Sequence, residues 1–139
     1  MYLLDTNVLS ELRKVPSGRA DTRVEAWAAS ADAESLYISV ICLMELEIGT
    51  LLIERRDPLQ GSHLRSWLNN FVLPAFSGRI LGVDAEIALR AAFLHVPNPR
   101  PFRDSLIAAT ALVHAMTVVT RNVSHFAPTG VRILDPWES

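Results

Sequence analysis

Three acids in this sequence fall where an ordinary surface carboxylate is not expected. Asp5 closes the apolar run Tyr2-Leu3-Leu4 and is followed at once by Thr6 and Asn7. Glu45 is embedded in "VICLMELEIG", and Asp104 precedes the alanine-rich "SLIAATALVHA". Each has a structural explanation of its own. Asp, Thr and Asn are good helix N-caps, a glutamate in a helix is usually solvated, and a carboxylate in a first helical turn is favoured by the dipole. Taken together they also make a cation site. Carboxylates gathered without a counter-charge repel and resist ionisation. A hard divalent ion resolves that repulsion, and Mg²⁺ in particular binds through a few carboxylates, keeps several waters and meets substrate phosphate. A further polar pair, Arg121-Asn122, follows the apolar "TVVT".

The elements that must bring these residues together are short apolar runs alternating with helical patterns. Strands are expected at "YLL", "SLYIS", "RILGV", "TVVT" and "VRIL". Helices are expected over Val8 to Lys14, "RVEAWAAS", about Ile41 to Glu54, "LRSWLNNFVLPAF" with Pro74 bending or ending it, "AEIALRAAFLHV" after an Asp84 cap, and "FRDSLIAATALVHA". Strands separated by helices imply a mainly parallel sheet covered on both faces, hence a three-layer α/β/α sandwich. Such sheets bind ligands beyond the carboxyl ends of their strands, where Asp5, Thr120 and Asn122 fall. Glu47, two residues from Glu45, must point elsewhere on the helix. Gly49, one turn from Glu45, is expected to admit a close backbone approach.

The 139 residues are expected to form one domain, 1–139, with half of them hydrophobic and a net charge of -2. That balance argues against a generally basic nucleic-acid-binding surface. A single cysteine, Cys42, excludes an internal disulfide framework and is expected to be a small buried hydrophobe. No bilayer-length apolar run and no basic segment preceding one is present, so a cytoplasmic protein without a membrane association is expected. The sequence has no G-x-S-x-G, P-loop or H-E-x-x-H pattern, and its four histidines are scattered.

"LLDTNVLSEL", "ISVICLMELEIGTLL", "FRDSLIAATALVHAMTVVTRN" and "GVRILDPW", in order over nearly the whole chain, resemble the PIN-domain toxins of VapC type, including the FitB-like branch. The resemblance implies a PIN-like fold and an Mg²⁺- or Mn²⁺-dependent ribonuclease. It also implies a toxin held inactive by a cognate antitoxin, and a homodimer. Carried over by position, the family's catalytic cluster falls on Asp5, Glu45, Asp104 and Asn122, the metal on Asp5, Glu45 and Asp104. Many relatives have aspartate where this chain has Asn122; others carry an acid three residues later, where this chain has His125. Thr6, Asn7, Ser39 and Thr120 are candidates for orienting carboxylates or a phosphate. Two other classes stay open. A phosphatase using Asp5 as nucleophile expects a second aspartate where Asn7 stands. A catalytically degenerate PIN-like module that binds RNA or protein would use the acids only as caps. Trp27, Trp67 and Trp137 with Leu51, Leu52 and Ile53 are candidates for a hydrophobic interface.

Overall fold

In the computed structural model, which describes residues 1–138, five short strands form one parallel sheet in the order β3-β2-β1-β4-β5. They are β1 (Tyr2–Leu4), β2 (Leu36–Ser39), β3 (Ile80–Leu81), β4 (Thr117–Val119) and β5 (Arg132–Leu134). The chain builds outward from β1 to β2 and β3, then returns to add β4 on the other side of β1. β1 and β4 therefore flank the switch point, where the crevice of an open parallel sheet lies.

The central strands bury residues on both faces, which is why they read as continuous apolar runs. Leu4, Ile38 and Val119 pack with Val8 and Leu9 of α1 (Thr6–Leu12) and Val24 of α2 (Thr22–Ser30). Their neighbours Leu3 and Val118 face the opposite layer, against Ile107, Ala108 and Ala111 of α7 (Phe102–His114). Ala109 turns the other side of α7 to Ile87 and Ala91 of α6 (Ala85–Leu94). Small side chains on both sides of α7 let it lie against the sheet and α6 at once. The result is the three-layer α/β/α sandwich expected.

α3 (Val40–Arg56) starts where β2 ends, with Ser39 as its N-cap: the Ile41 N–H donates to Ser39 Oγ at 3.0 Å. It supplies Leu46 to one core layer and Cys42 to the other. Asp57 then ends α3 and caps α4 (Pro58–Trp67), accepting from the Gln60 N–H, with Pro58 at the first helical position where its missing N–H costs nothing. The two helices pack so closely at Gly61 that a Cβ there would lie 2.5 Å from Glu54 Cα.

The sequence reading differs from the structure in four places. α4 starts well before the expected "LRSWLNNFVLPAF" helix. The irregularity in that segment is a π turn over Leu68–Val72, ahead of Pro74, which sits in the first turn of the short α5 (Leu73–Ala75). A short α8 (Val123–Phe126) follows Asn122, a helix absent from those expected. Gly49 meets nothing; the close helix contact belongs to Gly61. All three tryptophans join the core, Trp137 as a buried member and Trp27 and Trp67 packed against it, whereas Leu51 and Leu52 remain exposed. Among the described residues, no helix is long and apolar enough to cross a membrane.

Candidate active site

Asp5 follows β1 directly and its N–H donates to Val119 O of β4, which fixes it at the carboxyl ends of the two central strands. Its side chain is fully buried. The carboxylate is saturated with donors. Oδ1 accepts from the Thr6 N–H at 2.8 Å and from Arg103 Nη2; Oδ2 accepts from Thr120 Oγ1 at 2.8 Å and Asn7 Nδ2 at 3.4 Å. The capping contact to Thr6 and the contacts to Arg103 and Thr120 thus coexist in one side chain.

Three of the four orienting candidates join a single network, and one stands apart. Thr6 Oγ1 donates to Glu45 Oε1 at 2.6 Å, tying α1 to α3. Thr120 Oγ1 accepts from the Asn122 N–H at 3.0 Å and from Asn7 Nδ2 at 3.2 Å, while Asn7 Oδ1 accepts from the Arg121 N–H at 3.3 Å. Ser39 Oγ is instead taken up by the first turn of α3, so it bears on the site through the helix that carries Glu45. Glu47 points away, as helical spacing requires, into a bidentate pair with Arg65 at 2.7 Å, and that hydrogen bond holds its carboxyl below the usual range.

The residue that joins the three acids is Arg103, in the first turn of α7. Its Nε donates to Glu45 Oε2 at 2.5 Å, its Nη1 to Asp104 Oδ1 at 3.0 Å, and its Nη2 to Asp5 Oδ1. Burial works against its charge, but the Glu45 hydrogen bond and the Asp5 charge outweigh it and hold the guanidinium above its ordinary range. Three side chains 40 and 59 residues apart in the sequence thus converge on one cation. Asp104 is nearly buried and is not a cap; the N-cap position of α7 is Pro101. His125 of α8 places Nδ1 3.6 Å from Asp104 Oδ2. Arg103 is not among the site residues expected from the sequence, and His125, noted there only as standing where others carry an acid, is brought against Asp104 by α8.

A donor set of three carboxylates around a positive group suits a hard divalent ion, since oxygen ligands and negative charge are what Mg²⁺ and Mn²⁺ select. Asp5, Glu45 and Cys42 also bring one ligand atom each within 4.8 Å of one another. The thiol fits such an ion poorly: burial pushes Cys42 up to about 12, and its proton points to Leu4 O at 3.6 Å. The site opens into a cavity of about 600 Å³ lined by Thr6, Asn7, Glu45, Arg103, Asp104 and Asn122 among others. Lys14 and Arg121 line the same cavity as Glu45 and Asp104, while the fully buried Asp5 lies behind it and meets the lining through Arg103 and Thr6.

Residues 2–127 match the family model described as the PIN domain. The chain is 37% identical over 146 aligned positions to the VapC ribonuclease Y4jK of Sinorhizobium fredii, covering 99% of each chain. It is 37% identical over 143 positions to Toxin FitB of Neisseria gonorrhoeae, again with 99% of each covered. The crystal structure of FitAcB from Neisseria gonorrhoeae superposes with a TM-score of 0.90 at 34% identity, covering all of both chains.

Proposed function

The chain belongs to the PIN-domain family, and on that premise we propose that it is a metal-dependent ribonuclease, the toxin of a type II toxin–antitoxin pair acting in the cytoplasm. The observation that carries this reading is the convergence of Asp5, Glu45 and Asp104 on one positive group at the switch point of the sheet. These three carboxylates would hold Mg²⁺ or Mn²⁺, directly or through water. When bound, the ion supplies charge neutralisation and acidifies a coordinated water for attack on a phosphodiester.

The protein's own contribution is placement. Thr120 and Asn7 fix the Asp5 carboxylate, and Thr6 fixes Glu45, so the ligands are aimed before any ion or RNA arrives. Asn122 offers an amide at the cleft wall, able to orient water or phosphate but unable to add negative charge. Lys14 and Arg121 suit the backbone of an RNA strand entering the cleft.

Two exposed apolar stripes support the partners. Leu89 and Phe93 lie one turn apart on α6, 74% and 76% exposed; this face fits a second copy of the chain. Met44, Ile48 and Leu51 form a stripe along α3, the helix that carries Glu45, and fit an amphipathic segment of an antitoxin.

The test is RNA cleavage by the purified chain, freed of antitoxin, with Mg²⁺, Mn²⁺ or chelator. Cleavage is expected with metal, is lost on chelation, and is lost in a folded Asp104→Asn protein. Asn122 in place of a fourth acid favours one other reading, a degenerate module that binds RNA or protein without cutting. Binding with no metal-dependent cleavage would select it.

A further inference from the structure

Arg103 bonds all three carboxylates with three different nitrogens of one planar fork. It uses one oxygen of each: Asp5 Oδ1, Glu45 Oε2 and Asp104 Oδ1. A carboxylate lone pair directed at a guanidinium N–H is not free for a metal ion, whose ligand oxygens must close in to about 2.1 Å. The side chain reaches in from the first turn of α7 and its exposed fraction of 27% opens onto the cavity. Among the described residues its recorded acceptors are these three acids alone.

We propose that Arg103 is a built-in competitor for the cation site: the guanidinium and a divalent ion hold the same carboxylates alternately, so the metal enters only as Arg103 swings out. The inference rests on the metal-site reading above and adds to it a direct coupling between the state of one side chain and metal affinity. With Arg103 in place the acids carry a counter-charge of one, which keeps the cluster together in the absence of metal. A divalent ion must exchange for that charge-assisted set of hydrogen bonds, so loading is weakened relative to a site left open. Arg121, the cation on the cleft wall that stacks over the Trp137 ring at 5.2 Å, bonds none of the three acids with its side chain and supplies the control.

The experiment is a calorimetric titration of the purified full chain with MnCl₂, comparing wild type, Arg103→Ala, Arg103→Lys and Arg121→Ala. Arg103→Ala is expected to bind Mn²⁺ tighter by about tenfold or more, because a competitor has gone. Arg103→Lys keeps the charge that holds the cluster but cannot fork to three acids; it is expected to fall between Arg103→Ala and wild type, and it stands as the test should the alanine protein fail to fold. Arg121→Ala, which removes one positive charge from the same cleft, is expected to change affinity by less than about threefold, the effect of remote charge alone. Equal or weaker binding by both Arg103 variants, or an equal gain in Arg121→Ala, overturns the exchange while leaving the metal site standing. Failure of every protein to bind Mn²⁺ overturns the metal site and the exchange together.

Discussion

The Thr6 hydroxyl donates to Glu45 Oε1 at 2.6 Å, joining the first turn of α1 to the middle of α3 across 39 residues of chain. Glu45 is the one acid of the three that stands on a partly exposed helix face, with 30% of its side chain accessible. A hydroxyl that turns it inward therefore has more to do than the buried surroundings that fix Asp5. Thr6→Val keeps the branched shape and removes the donor. Metal-dependent RNA cleavage is expected to fall about 10- to 100-fold with the fold retained, as for other groups that orient a metal-binding carboxylate. Unchanged turnover in a kinetic assay would show that Glu45 needs no such support.

The two glycines of the α3–α4 pair are expected to respond in opposite directions. Gly61 is buried against Glu54, so Gly61→Ala forces the helices apart and is expected to cost about 1–3 kcal/mol. Gly49 is exposed in the interior of α3 with nothing near its missing Cβ, so Gly49→Ala is expected to stabilise by about 0.5–1 kcal/mol. Urea unfolding of the two variants reads both signs. The same sign in both would contradict the packing assigned to α4.

The acid side of the stability curve carries a signature of Glu11. Its carboxylate accepts from the Asp21 N–H at 2.8 Å and pairs with Lys14 at 3.1 Å, and these contacts lower its pKa from 4.5 against a smaller opposing effect of burial. A carboxyl held low when folded binds protons more tightly when unfolded. Its contribution is therefore present above about pH 4.5 and is lost as pH falls through the folded value. The stability gap between wild type and Glu11→Gln is expected to be flat from about pH 7 to 5 and to close below 4.5 in urea titrations; a gap that widens toward acid contradicts the assignment.

Leu89 and Phe93 test the second copy. Replacing both by glutamate puts two charges on the exposed stripe of α6 without touching its buried side at Ile87 and Ala91. Light scattering on the eluted protein is expected to show a dimer for wild type and a folded monomer for the double variant. A dimer that survives the change places the interface elsewhere.

The central strands and α7 were legible in the sequence because burial on two sides leaves uninterrupted apolar or alanine-rich runs, and α3 because an exposed apolar stripe adds to its buried residues Cys42 and Leu46. α4 was not, because "DPLQGSHL" has no apolar periodicity; its only signals are the Asp57 cap and Pro58, with Gly61 set by the neighbouring helix rather than by its own. Asp5 with Thr6, Asn7 and Thr120 could be picked out as polar residues at strand ends, and Glu45 and Asp104 as acids set within or at the start of apolar helices. Arg103 could not be found from apolar patterning, since it sits beside Asp104 like any solvated charge. One local hint exists: a cation in the first turn of α7 runs against the helix dipole, a mismatch that makes sense only once Asp5 and Glu45 are seen across the cleft.

The measurement that bears most directly on the shared cation site is a crystal structure of the chain soaked in MnCl₂, with data collected for the anomalous signal of manganese. A peak is expected bounded by the carboxylates of Asp5, Glu45 and Asp104, with the Arg103 guanidinium withdrawn from them. Saturating Mn²⁺ with no peak between those three residues, or a peak at some other cluster, would contradict the shared site.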